Sequence, residues 1–194
     1  RRSGAANLLV AAAARVQTPN PGATACAPAA MAHPKRRTRA DVYRDQVQIA
    51  LFVSKERITP DTWVYVHSLD LPYVRFMEMD NWSAGLSPKG TTTFVFEVTC
   101  NEGDAIWMKN DQQLVELITD SFIKEFRLIH QEDIIGSYVH RMAKEYPVYH
   151  IGYQKDLKIL KDYLAQFTNL QIIGRNGIFR YNNMDHSVEM GLYA

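Results

Sequence analysis

Cysteine is nearly absent: Cys26 and Cys100 are the two in 194 residues. A pair with no metal-ligand spacing and no framework argues against a disulfide-stapled scaffold or a zinc module. A reducing compartment is then the default, and the cytoplasm the expected setting. No apolar run approaches the roughly 20 residues of a membrane-spanning helix, so no span is expected. No Gly-x-Gly-x-x-Gly occurs, so the chain carries no glycine-rich cradle for a dinucleotide pyrophosphate. His67, His130, His140 and His150 share no short spacing and suggest no metal site. No Ser/His/Asp set or nucleophile elbow can be picked out. Acids are missing from positions 1–40, which hold seven Lys/Arg; residues 41–194 keep 15 basic and 21 acidic side chains, a balance of −6. A body of that sign gives no basis for nucleic-acid binding.

What is present reads as an ordinary globular chain, 46% hydrophobic and 22% charged, with room for one domain or one domain and a tail. Residues 1–42 differ from the rest. Their Ala/Pro/Gly/Thr content and the cluster Lys35, Arg36, Arg37 and Arg39 predict a disordered basic tail. The same acid-free composition also resembles a transit or signal peptide. The chain begins with Arg rather than Met, as a fragment would.

From Asp45 the pattern changes. Val47, Ile49, Leu51 and Val53 alternate with Gln48, Ala50, Phe52 and Ser54, a period of two that predicts a strand with one apolar face. Residues 63–67 and 74–79 predict two more strands, the second with Met77 and Met79 on a core-facing side. A fourth, over 91–100, is apolar at Phe94, Phe96 and Val98. Short turns between them predict an antiparallel sheet with one covered face. The cover is an amphipathic helix over 111–127, with Leu114, Leu117, Ile118, Phe122 and Phe126 as its stripe and Asn110 or Asp111 as its cap. Residues 134–142 read as another strand, and Pro147 holds 146–149 extended. A second helix spans 152–167, with Tyr153, Leu157, Leu160, Leu164 and Phe167 at helical spacing. The fold class is α+β, and no internal repeat is visible.

The stretch 170–192 stands apart. Leu170, Ile172 and Ile173 read as a buried strand that Gly174 ends. A polar loop follows, and then Asn182, Asn183, Asp185 and Ser187, all helix-capping residues, precede Val188, Met190 and Leu192. Strand, glycine turn, loop and helix N-terminus offer backbone N–H groups and a positive dipole end to an anion or an electron-rich ring. Arg175 and Arg180 add cationic donors, and Tyr181 adds an aromatic face with a hydroxyl. By local chemistry alone, a plain surface loop before a terminal helix is the commoner account of such a stretch.

Taken in order, Gly174-Arg175-Asn176-Gly177, Arg180-Tyr181-Asn182-Asn183 and Asp185-His186-Ser187 resemble the C-terminal flavin-contacting motif of FAD-dependent amine-oxidoreductase-like proteins. Within that family the resemblance is to the protoporphyrinogen-oxidase-like and UDP-galactopyranose-mutase-like branch. Tyr146-Pro147-Val148-Tyr149 with Tyr153, Asn81-Trp82-Ser83, and Tyr43-Arg44-Asp45 ahead of an apolar strand are similar to the same family. The resemblance implies a substrate-type antiparallel sheet with a helix over 43–145. Over 146–194 it implies the returning strand and helix that complete a split FAD-binding domain. It makes the chain the C-terminal part of a larger FAD-dependent oxidoreductase acting on a small-molecule substrate, and inactive alone. A fragment of a flavin-dependent UDP-sugar mutase and an α+β fragment with no cofactor are the alternatives. The sequence gives no sign of oligomeric state.

Carried over by position, Gly174, Arg175, Asn183, Met184, Asp185 and His186 would contact the flavin. Gly174 would let backbone approach where a Cβ would intrude. Arg175 and the helix start would stabilise negative charge on the reduced ring. Tyr181 is similar to a mutase tyrosine that contacts substrate, so Arg175 and Tyr181 take the catalytic roles. Asn183 stands where those mutases carry Asp, and both Asn183 and Asp185 read equally as simple caps. Trp82 and Tyr149 are the substrate-side candidates. A lone Trp beside a strand is more often core, and packing alone also explains Tyr146, Tyr149 and Tyr153. A nucleoside diphosphate needs several positioned cations. Arg175, Arg180 and, as one further candidate, Arg75 are few, which favours the oxidoreductase.

Overall fold

The computed structural model describes residues 43–194, and the basic tail expected over 1–42 lies outside them. Five strands, β1 (Tyr43–Val53), β2 (Trp63–Tyr65), β3 (Arg75–Glu78), β4 (Thr92–Cys100) and β5 (Ile134–Pro147), form one sheet in the order β2-β3-β4-β1-β5. The β2–β3 and β3–β4 ladders are antiparallel. β5 also runs against β1: Ser54 N–H donates to the Asp133 carbonyl at 2.8 Å near one end, and Lys144 N–H donates to Asp45 Oδ1 at 2.7 Å near the other. The fold is α+β, as the sequence pattern predicts.

The described residues belong to two compact units, Gln46–Met142 and Ala143–Ala194 with 43–45. In the first unit the predicted alternation of β1 is realised, with Val47, Ile49, Leu51 and Val53 fully buried. They share a core with Phe76 of β3, with Phe94, Phe96 and Val98 of β4, and with helix α1 (Asp111–Phe126). Leu114, Ile118 and Phe122, four residues apart, are the fully buried stripe of α1. Each contributes roughly 2 kcal/mol by leaving water. Phe122 lies with its ring centroid 5.1 Å from Phe76 and Phe94 and 4.9 Å from Phe96. Asn110 is the cap: its Oδ1 takes the Gln113 N–H at 2.9 Å, and the Gln113 side chain takes the Asn110 N–H at 3.1 Å. From β5, Arg141 anchors the same helix start, donating to Asp111 Oδ1 and the Lys109 carbonyl, both at 2.6 Å.

Several expectations shift. The strand expected over 63–67 shortens to β2. Met77 and Met79 are half-buried and are not core, because β3 pairs Phe76 with Phe96 and Glu78 with Phe94 on the covered face. Met77 pairs with Val95 on the opposite face, and Met79 begins a 3-10 turn, Met79–Asn81.

In the second unit, α2 (Tyr153–Leu164) forms where predicted, but none of its residues is buried. The run 170–173 is not a strand. A strand needs a ladder partner, and among the described residues none lies beside it; Leu170 and Ile173 are 45% and 46% exposed. The polar loop after it winds into a one-turn helix, α3 (Gly174–Gly177), and α4 (Met184–Tyr193) follows. Pro147 and Asn182 are buried here, while Leu160, Phe167, Val188 and Leu192 stay exposed. Among the described residues no helix is long and apolar enough to cross a membrane.

Candidate functional site

Gly174 sits at φ +77, a left-handed conformation that glycine adopts without strain and that lets the extended backbone at Ile173 turn into α3. A Cβ added there would meet nothing within 4 Å, so conformation rather than crowding requires glycine within this chain. Crowding falls instead on Gly177, whose added Cβ would lie 3.2 Å from Ile172 Cγ2. The turn closes through Ile178 N–H to the Gly174 carbonyl and Arg180 N–H to the Arg175 carbonyl, both at 3.1 Å. Phe179 follows at φ +53, where a side chain is strained.

Arg175 turns back over this loop. Its Nη2 donates to the Asn182 carbonyl at 2.9 Å, and its Nε reaches Asn182 Oδ1 at 3.4 Å. The guanidinium lies over the Tyr146 ring, 4.9 Å from its centroid, and Nη1 is 3.5 Å from Glu145 Oε1. Asn182 is buried because it serves both ends: its Nδ2 donates to Ser187 Oγ at 2.9 Å, tying the loop to α4.

The tyrosines form a second group. Tyr181 N–H donates to Tyr149 Oη at 2.7 Å, and the Tyr181 ring stacks on Tyr146 at 5.6 Å. Tyr149 stacks on Tyr153 at 4.7 Å, and Phe179 meets Tyr43, Tyr149 and Tyr153 at 5.7–5.9 Å. Tyr181 and Tyr149 keep 49% and 40% of their surface exposed.

At the start of α4, the Asn183 side chain takes the His186 backbone N–H while His186 Nδ1 accepts the Asn183 N–H at 3.3 Å. Asp185 Oδ1 is 3.1 Å from that same Nδ1. Met184, Asp185 and His186 point largely into solvent. A shallow groove of about 300 Å³ lies between Gln171–Ile173 and the Glu189, Met190 and Tyr193 side of α4. It is lined by none of the predicted site residues.

Arg175, Tyr181, Tyr149 and 183–186 thus fall in the second unit, and Trp82 in the first. Trp82 is not core: it is 49% exposed and lies against Trp63 with ring centroids 4.7 Å apart. Trp63 and Tyr65 share a sheet face with Arg75, which grips the buried Glu97 through Nη2–Oε1 (2.5 Å) and Nε–Oε2 (3.1 Å). Sequence reasoning missed Glu97, Glu145, Asn182 and Phe179 as partners. The Glu145–Arg175 and Arg75–Glu97 pairs join residues far apart in the chain, where local pattern has no voice; the one available signal was the position of Glu145 beside Tyr146.

No protein-family model matches this chain, and no curated protein matches it in sequence. Solved structures do. The crystal structure of reduced UDP-galactopyranose mutase superposes with a TM-score of 0.66 at 24% identity, over 76% of this chain and 32% of that one. A protoporphyrinogen oxidase-like protein from Exiguobacterium sp. 255-15 superposes with a TM-score of 0.55 at 12% identity, over 78% of this chain and 35% of that one. The chain therefore spans about a third of the length of each, and at these identities it is the fold that they share.

Proposed function

We propose that this chain is the substrate-facing and flavin-contacting C-terminal portion of an FAD-dependent oxidoreductase of amine-oxidase type, taking a small-molecule substrate. The observation that carries the reading is the build of 174–187. The ordered motif closes on itself through Arg175 and Asn182, and it leaves the space beside Gly174 and the start of α4 open.

Those residues fit FAD. Open space beside Gly174, exposed residues at 184–186 and the positive end of a ten-residue helix suit a flat ring system that gains negative charge. Bound FAD supplies the hydride acceptor. Within this chain, Gly174 and Asn183 to His186 would line it, and Arg175 would fix the local charge. Tyr181 and Tyr149 would present ring faces and hydroxyls to the substrate. The phosphate cradle would come from sequence outside these residues.

A mutase of UDP-sugars is the second reading, supported by the higher TM-score with UDP-galactopyranose mutase. Charge weighs against it. Arg175 already faces Glu145, and Arg75 is locked to Glu97, so two of the three arginines nominated for a nucleoside diphosphate are met by carboxylates. Absorbance tests the proposal. Residues 1–194 should purify colourless, and a longer chain that adds an upstream glycine-rich loop should be yellow and bleach on addition of an amine-type reductant. A longer chain that stays colourless with added FAD would sink the reading.

A further inference from the structure

Asn176 is the one asparagine in the 194 residues that glycine follows. An asparagine amide turns to acid when the next residue's backbone nitrogen attacks the side-chain carbon, and a glycine there leaves the approach clear of a Cβ. The structure adds exposure. Asn176 and Gly177 are both exposed, and they end α3, a single turn that Ile178 N–H closes onto the Gly174 carbonyl at 3.1 Å. One turn of helix is marginal by itself and opens locally at small cost, which frees the backbone for the attack. The other asparagines of this unit differ. Asn182 is buried between Arg175 and Ser187, Asn183 caps α4, and Asn169 precedes Leu170.

We propose that Asn176-Gly177 is a modification site at which the chain deamidates itself, with water as the co-reactant. The Gly177 nitrogen loses its proton to solvent base and bonds to Asn176 Cγ. The Cγ–Nδ2 bond breaks, ammonia leaves with a proton taken from solvent, and a cyclic imide remains. Water then opens the imide at either carbonyl, giving aspartate or, with the main chain rerouted through the side chain, isoaspartate. One water enters and one ammonia departs; nothing is oxidised or reduced. The consequence is local. Asn176 Nδ2 donates to the Lys144 carbonyl at 3.2 Å, and either product replaces that donor with a carboxylate that only accepts. Lys144 sits at φ +58, so a strained position loses a tie. Isoaspartate also lengthens the main chain inside the turn that Ile178 closes. The new charge stands next to Arg175, which already faces Glu145. This chemistry needs no cofactor and stands apart from the flavin reading.

The test incubates the 194-residue chain in heavy-oxygen water at mildly alkaline pH. Trypsin in ordinary water then releases 176–180 between Arg175 and Arg180, and mass spectrometry reads it. Heavy oxygen marks acid formed in the folded chain rather than during digestion. The expected result is progressive conversion of this peptide, with isoaspartate exceeding aspartate, ahead of every other asparagine peptide. Asn176→Gln, whose amide would have to close a larger ring, should lose the conversion. Gly177→Ala should slow it severalfold; its Cβ would lie 3.2 Å from Ile172 Cγ2, so the glutamine variant serves if this one folds poorly. The isoaspartyl chain should exchange the Ile178 amide proton faster than the unmodified one. A peptide that stays unlabelled after the urea-unfolded chain has converted, or another asparagine that converts first, would overturn the proposal. Neither outcome bears on flavin retention, and a colourless longer chain leaves this proposal standing.

Discussion

Glu78 and Asn81 meet through Oε2 and Nδ2 at 3.2 Å, and together they hold the 58–61 loop to the sheet. Glu78 is 1% exposed. Its carboxylate accepts the N–H groups of Ile58 (2.5 Å) and Thr59 (2.7 Å) and the hydroxyls of Thr59 (2.8 Å) and Thr92 (3.1 Å). Asn81 Nδ2 donates to the Thr59 and Asp61 carbonyls at 2.9 and 2.8 Å. A buried carboxylate is tolerated because donors surround it. The next residue is Trp82, so this network also sets where that ring lies against Trp63.

Glu78→Ala should therefore do two things at once. It leaves at least two backbone donors without an acceptor in a buried place, and stability should fall by roughly 3 kcal/mol in urea unfolding. With the turn released, Trp82 should leave Trp63, and tryptophan emission should move to the red below the unfolding transition. A loss under about 1 kcal/mol would mean that water replaces the carboxylate easily.

Asp133 should contribute to acid sensitivity. The Lys55 ammonium, 2.5 Å from Oδ2, and the His130 N–H, at 2.8 Å, hold this carboxyl below the ordinary aspartate range. The folded value is depressed, so the stabilisation is complete above the unfolded pKa of about 3.9 and is lost as pH falls through the lower folded value. Lys55→Met should raise the Asp133 pKa, seen in a carboxyl-carbon NMR titration, and acid unfolding should begin at higher pH. An unchanged titration would show that the His130 amide alone sets the shift.

Phe179 should reverse a familiar order of substitutions. Its φ of +53 is costly for a side chain, yet its ring touches Tyr43, Tyr149 and Tyr153. Phe179→Ala loses the packing and keeps the strain; Phe179→Gly loses the packing and relieves the strain. Glycine should be the more stable of the two by about 1 kcal/mol, with wild type above both. Alanine equal to glycine in thermal unfolding would place the strain elsewhere.

These cases mark what a sequence can carry. The core face of β1, the stripe of α1 and the Asn110 cap were legible because each is a pattern within a few residues. The break at Gly174 was legible too, but the positive φ that calls for glycine within this chain was not. The apolar run 170–173 misled because a strand is a property of two segments, and no partner lies beside this one among the described residues. Nothing local distinguishes Phe179, a residue type that ordinarily avoids its φ. Arg175 was singled out, while Glu145, which qualifies its charge, sits thirty residues earlier.

Asn183 offers a way to separate capping from cofactor contact. As a cap, its side chain takes the His186 N–H. Asn183→Ala should cost about 1 kcal/mol and speed exchange of that amide proton. Asn183→Asp keeps the acceptor and adds negative charge at the positive end of α4, so folding should be unchanged or improved by roughly 0.5 kcal/mol. If the start of α4 also faces the flavin, the added charge opposes charge gained on reduction. In a longer chain, should it bind FAD as proposed, Asn183→Asp should then lower the midpoint potential while leaving thermal stability intact. A potential that does not move, in a protein as stable as wild type, would leave Asn183 a cap and nothing more.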